Sequence, residues 1–241
     1  MRAIILAAGR GSRMKDLTRD MPKCFIKLHG KRLIDWQLSS LRGANIKNIA
    51  VVTGYKKSMF SENLHYFVNE NWCNSNIVAS LLRAEDWLAR YPCIVSYSDI
   101  VYSCDTIEKL KAIKEPIGIT YDKNWLSLWS ARFVDPLTDA ESFKINSEGF
   151  LTEIGRKPKN NNEVEGQFMG LLKIEPSGWK KICEVLKQFT QEEKFQMDIT
   201  TLLRKLLEKQ FKISTVPIQD SWYEVDSESD LAYYSSLNSL W

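Results

Sequence analysis

The stretch Met1-Arg-Ala-Ile-Ile-Leu-Ala-Ala-Gly-Arg-Gly-Ser-Arg13, followed by Met21-Pro-Lys-Cys24, decides the fold. Residues 3–8 are small and branched apolar side chains. Their number and type suit a strand buried on both faces. The run breaks at Gly9-Arg10-Gly11-Ser12-Arg13. Two glycines let the backbone turn sharply and come close to a ligand, because no Cβ intervenes. N–H groups exposed in such a turn form a concavity that binds anions. Arg10, Arg13 and Lys23 bring three cations within reach. A buried strand, a glycine turn and clustered cations together describe a triphosphate site.

Other glycine-loop readings fit less well. The dinucleotide fingerprint needs a third small residue where this chain has Met14, and a helix that opens at once on the pyrophosphate. Here the loop runs on through Lys15-Asp16-Leu17-Thr18 to Pro22. The P-loop needs four residues between its glycines and then Gly-Lys-Ser/Thr, which the chain lacks. A plain surface turn leaves the three cations without a role.

Working outward, Cys24–His29 reads as a short strand or extended segment, and apolar residues at 33, 34, 38 and 41 predict a helix ended by Gly43. Asn48–Thr53 predicts a second buried strand, closed by Gly54-Tyr55. Strand, helix and strand in about fifty residues make a parallel crossover, whose ligands bind beyond the carboxyl ends of the strands. Tyr55 at such an end either packs or borders a base. Residues 60–67 read as a weak helix or an extended segment. A polar loop over 71–76 precedes a helix predicted over 77–88, with Asn74 or Ser75 as its N-cap.

Cys93-Ile-Val-Ser-Tyr-Ser-Asp99 predicts another central strand. An acid at its carboxyl end opposes a polyanion unless a metal intervenes, and Mg²⁺ uses one or two carboxylates plus phosphate oxygens. Asp99 is therefore a metal ligand on charge grounds, or else caps the next segment. A short helix follows over 106–114, then a strand over 116–121. Trp125, Trp129, Arg132 and Phe133 recur at helical spacing. They form either a packed helix or an aromatic wall for a cationic head group. Residues 142–155 predict a hairpin, 156–163 a polar loop, and 165–174 a strand entered through glycines. Helices follow from Ser177 to about Phe189 and from Met197 to Leu207, the second capped by Asp198; a strand spans 211–217. Ser227 is placed as the N-cap of a last helix, with Asp230 three residues on.

Of 241 residues, 44% are hydrophobic, ample for one α/β domain over residues 1–241. Thirty-three basic and 30 acidic residues leave +3, too balanced for nucleic-acid or membrane binding as the main role. Cys24, Cys73, Cys93, Cys104 and Cys183 include no Cys-x-x-Cys pair. They read as reduced thiols in a cytoplasmic protein. No signal peptide is visible, and no apolar run approaches the roughly 20 residues that span a bilayer.

Leu6-Ala-Ala-Gly-Arg-Gly-Ser-Arg13 with Pro22-Lys23 resembles the signature of the sugar-phosphate and alcohol-phosphate nucleotidyltransferases. The likeness continues through Gly54-Tyr55, Asp99 and Trp222-Tyr-Glu-Val-Asp226, and so spans nearly the whole chain. Within the family it points to the phosphocholine cytidylyltransferase group, which includes enzymes acting on 2-aminoethylphosphonate. The resemblance implies an α/β fold with a Rossmann-like mixed, mostly parallel sheet flanked by helices, of the nucleotidyltransferase or glycosyltransferase-A type.

The same resemblance implies a nucleotide held by Leu6, Ala7, Ala8, Gly9, Arg10, Gly11, Ser12, Arg13 and Lys23, with Gly54 and Tyr55 beside it. Asn76 and Ser80 approach the pyrimidine and the acceptor phosphate, unless they only cap and brace their loop. Asp99 and Asp226 hold Mg²⁺; the capping role that would compete for Asp226 is already filled by Ser227. Residues 122–175 supply the acceptor side, with Trp129, Glu165 and Gln167 as candidates. Glu165 pairs either an amine or Arg156 or Lys157.

The expected reaction is attack by a phosphate or phosphonate oxygen on the α-phosphorus of CTP, with Arg13 and Lys23 as the catalytic cations. An NDP-sugar synthase and an inactive nucleotide-binding regulator are the competing readings. The sequence leaves monomer and homodimer both open.

Overall fold

The computed structural model describes residues 1–219 and 222–238. Its centre is a seven-stranded sheet of β1 (Arg2–Ala7), β2 (Ile49–Thr53), β3 (His65–Val68), β4 (Cys93–Tyr97), β5 (Ile117–Asp122), β6 (Gln167–Ile174) and β7 (Ser214–Ile218). The spatial order is β7-β5-β6-β4-β1-β2-β3. β1 pairs in parallel with both β2 and β4, β2 with β3, and β5 with β7. β6 alone runs antiparallel, between β4 and β5. The mixed, mostly parallel α/β sheet expected from the sequence is the one observed.

Alternation along β1 explains its unbroken apolar run. Ile4 and Leu6 face one core with α2 (Ile77–Arg83), α6 (Pro176–Leu186) and α8 (Ile199–Glu208). Ala3, Ile5 and Ala7 face another with α1 (Leu33–Gly43) and α4 (Cys104–Lys111). A strand covered on both faces has no position left for a polar residue.

Several local expectations change. The uncertain stretch 60–67 contributes the edge strand β3. The helix expected over 77–88 is broken at Ala84 into α2 and α3 (Glu85–Leu88), and its cap is Asn76, not Asn74 or Ser75. α7 (Gln191–Gln196) is absent from the sequence expectation because six residues carry too little periodicity, although Thr190 and Glu193 form a full capping box. The caps at Asp198 and Ser227 stand as expected, opening α8 and α9 (Glu228–Ser235). α5 (Trp125–Arg132) packs against the second core through Trp125 and Trp129. Among the described residues no helix is long and apolar enough to cross a membrane.

Candidate active site

β1, β2 and β4 end side by side, so the loops after them meet at one edge of the sheet. After β1 the backbone turns at Gly11, whose φ of 70° is a left-handed conformation. A side chain there is excluded twice, because an added Cβ would lie 2.7 Å from Cδ of Lys23. The turn is pinned from below, where the Thr18 hydroxyl donates to the Gly11 carbonyl at 3.0 Å. The loop after β2 is tied on by Tyr55 N–H, which donates to the Ala8 carbonyl at 2.8 Å.

Lys23 lies against this turn with its side chain 7% exposed. Its ammonium donates to Asp99 Oδ2 at 2.7 Å and to Asp226 Oδ1 at 2.6 Å. The guanidinium of Arg13 pairs with the other oxygen of Asp226. Burial opposes the charge on Lys23, but Asp99 and Asp226 outweigh it and hold the ammonium's pKa above its ordinary value. The two acids, far apart in sequence, are joined through the backbone. Tyr223–Glu224 pairs antiparallel with Ile100–Val101, and Val225 N–H donates to the Asp99 carbonyl at 2.9 Å.

The chemistry here suits a hard divalent ion. Two carboxylates converge on one positive charge, and Asp99 Oδ1 is buried with no hydrogen-bond partner among the described residues. Among the described residues no three His, Cys, Asp or Glu side chains converge into a metal cage. Two carboxylates completed by water and phosphate oxygens is the way Mg²⁺ is commonly bound.

A cavity of about 270 Å³ opens over this group. Of the sequence-derived nucleotide contacts, Leu6, Ala8, Gly9, Gly11, Ser12, Arg13, Lys23, Asn76 and Ser80 line it, with Asp99 and Asp226. Ala7, Arg10, Gly54 and Tyr55 do not. Ala7 points into the opposite core, as alternation along β1 requires. Arg10 lies over the Tyr55 ring at 5.9 Å. Tyr55 packs edge-on against Trp72, at 5.1 Å between centroids, and its hydroxyl donates to the Arg19 carbonyl. Gly54 fits between Trp72 and the Ala8 carbonyl. Asn76 accepts from Ile77 N–H as helix cap, and Ser80 accepts from Asn69, so both also brace the structure.

A second cavity, of about 410 Å³, adjoins the first and shares Arg13, Asn76, Ile77, Tyr97 and Asp99 with it. Its wall combines the aromatics Tyr97, Trp129 and Phe168 with Asp139, Glu141, Asp198 and Glu224. Trp129 is held by its indole N–H, which donates to Asp139 Oδ2 at 3.1 Å. Gln167 also lines this cavity, but both ends of its amide are engaged. It donates to the Glu141 carbonyl at 2.7 Å and accepts from Glu141 N–H at 3.2 Å. Glu165 lies outside both linings. Its carboxylate accepts from Ile145 N–H at 2.8 Å, and among the described residues it forms no salt bridge with Arg156 or Lys157.

Burial pushes the Glu141 carboxyl up, with help from the negative charge of Asp198. Burial likewise raises Glu224, to about 7, against the pull of Arg132.

Sequence reasoning missed much of this second wall. Asp139 and Glu141 sit in a non-periodic stretch that gives no signal. Asp198 is the cap that the sequence predicts, accepting from Thr201 N–H at 2.6 Å, and it lines this cavity as well. Glu224 stands inside the quoted 222–226 stretch; Trp72, which lines the first cavity, lies in a loop that is otherwise polar.

Residues 3–143 match the MobA-like NTP transferase domain. Over 96% of this chain and 98% of the other, the sequence is 36% identical to the CTP:phosphoglutamine cytidylyltransferase of Campylobacter jejuni. It is 38% identical to the choline-phosphate cytidylyltransferase of Haemophilus influenzae, over 42% of this chain and 45% of that one. In fold, the CTP:phosphocholine cytidylyltransferase of Streptococcus pneumoniae superposes with a TM-score of 0.74 over 97% of both chains, at 20% identity.

Proposed function

The chain belongs to the MobA-like NTP transferase family, and from that membership we propose that it transfers CMP from CTP to a small phosphorylated or phosphonate acceptor bearing a cationic nitrogen. The observation that carries this reading is the second cavity, acid-lined and aromatic-walled, which runs on from the glycine-loop cavity through Arg13 and Asp99. Carboxylates and aromatic faces both attract a cationic nitrogen. Phosphoglutamine and choline phosphate, named in two relatives, each carry nitrogen as well as phosphate.

In the proposed reaction an acceptor oxygen bonds to the α-phosphorus of CTP, and the bond from that phosphorus to the bridging oxygen breaks, releasing pyrophosphate. The acceptor oxygen is already anionic, so no general base is needed. Positioning and charge neutralisation account for catalysis. The amides of Gly9–Gly11 and the Arg13 guanidinium hold the β,γ-phosphates. Lys23 neutralises charge at the α-phosphate. Asp99 and Asp226 would hold Mg²⁺, which when bound supplies Lewis-acid charge neutralisation at that phosphate. Trp129, Glu141 and Glu224 orient the acceptor's cationic end and keep its phosphate toward Lys23.

The test is pyrophosphate release across CTP, UTP and dTTP, each paired with phosphoglutamine, phosphocholine, 2-aminoethylphosphonate and glucose 1-phosphate. Turnover is expected with CTP and a nitrogen-bearing acceptor. Turnover confined to glucose 1-phosphate would assign the protein to NDP-sugar synthesis instead.

A further inference from the structure

We propose that Arg132 is the positioning residue for Asp226, tying the wall of the acceptor cavity to the acid beside Lys23; its effect on turnover rests on the transfer reaction proposed above. Arg132 ends α5, the helix that carries Trp129, and its side chain is only 1% exposed. Its guanidinium reaches two acids of the C-terminal segment at once. Nε and Nη2 donate to Asp230 Oδ1 and Oδ2 at 2.9 and 3.2 Å, and Nη1 donates to Glu224 Oε2 at 2.9 Å. The Trp129 ring lies 5.0 Å from the guanidinium carbon.

Asp230 passes this hold on to the backbone. Its Oδ2 also accepts from Asp226 N–H at 3.1 Å and from Ser227 N–H at 2.9 Å. Arg132 therefore grips the 224–227 segment from both sides: through Glu224, which lines the second cavity, and through Asp230, which fixes the backbone of Asp226. A planar fork can serve two separate carboxylates together, whereas an ammonium on a flexible stem cannot reproduce that geometry. Buried ion pairs add little net stability over apolar packing. Stability alone therefore does not explain a guanidinium enclosed at this point, whereas fixing the direction of Asp226 does.

The proposal is tested by Arg132→Met and Arg132→Lys, read by amide hydrogen exchange and by steady-state pyrophosphate release. In Arg132→Met the Asp226 and Ser227 amides should exchange at least tenfold faster, while β1 amides keep wild-type rates. The kcat should fall at least tenfold, with the half-saturating CTP concentration changed less than threefold. Arg132→Lys, able to reach one acid at a time, should fall between. Wild-type exchange at Asp226 and Ser227 in Arg132→Met, or equal acceleration in β1, would overturn the proposal.

Should Arg132→Met not fold, Asp230→Asn provides the second variant. It keeps the acceptor oxygen but weakens the tie to Arg132, and unchanged exchange at Asp226 and Ser227 there would also overturn the proposal. If the wild-type protein released no pyrophosphate with any acceptor, the transfer reading would fail, and the exchange pattern would still decide the place of Arg132.

Discussion

A β-carbon on Gly11 would lie 2.7 Å from Cδ of Lys23. The glycine loop thus does more than expose backbone amides. It is also the floor on which the stem of Lys23 rests, and the missing Cβ lets the ammonium reach Asp99 and Asp226 from below.

Gly11→Ala should therefore injure stability and chemistry together. The left-handed φ and the clash should cost about 1–3 kcal/mol, and pyrophosphate release should fall at least tenfold. Gly9→Ala is the contrast, because among the described residues nothing beyond its chain neighbours lies within 4 Å of the added Cβ. Thermal melts of the pair check the first claim; equal melting temperatures would remove the steric argument.

Lys23→Ala leaves Asp99 and Asp226 facing each other without their shared cation. Turnover should drop by about 10²–10³-fold, the usual scale for losing one preorganised charge-stabilising group. The acids are 20% and 12% exposed, so solvent softens the stability loss to about 1–3 kcal/mol. Asp226→Asn should produce a similar kinetic loss and raise the Mg²⁺ concentration needed for half-activity. Near-normal turnover in either variant would contradict the assigned roles.

Glu141 gives a pH prediction. Burial first, and Asp198 second, hold its carboxyl above the usual glutamate range. On acidification it takes up a proton sooner than a free glutamate would, and the cavity wall loses a negative charge. Affinity for a cationic acceptor is thus present at higher pH and lost as pH falls through that raised value. The ratio of acceptor KM in Glu141→Gln to that in wild type should be largest at high pH and approach one in acid. Taking the ratio cancels the ionisation of the acceptor itself. A ratio independent of pH would show that Glu141 does not face the cation.

Gln167 holds the Glu141 backbone by both ends of its amide. Gln167→Glu removes the donor and adds a charge, so the 139–141 wall should loosen. Acceptor KM should rise by roughly tenfold, equivalent to about 1.4 kcal/mol, with CTP KM unchanged. Parallel increases in both constants would instead indicate a general effect on the site.

The sequence by itself determined the centre of the protein. β1, the glycine turn and Lys23 lie within 24 residues, and their pattern follows from local rules: apolar residues where both faces are covered, glycine where φ is positive, cations beside exposed amides. The parallel crossover is legible in the strand, helix and strand that run from this stretch to Thr53, and the family in motifs that continue to Asp226. Local rules leave open which distant side chains meet; the family resemblance joins Asp99 with Asp226, and the tertiary structure decides the rest. Asp99 and Asp226 stand together because a two-residue ribbon joins 100–101 to 223–224, a pairing too short to leave a pattern of its own. Asp139, Glu141, Asp198 and Glu224 become one wall, and Arg132 becomes a strut, through contacts between segments tens of residues apart. Periodicity records which face of an element is buried, but not which partner covers it; the second cavity is built almost entirely from such partnerships.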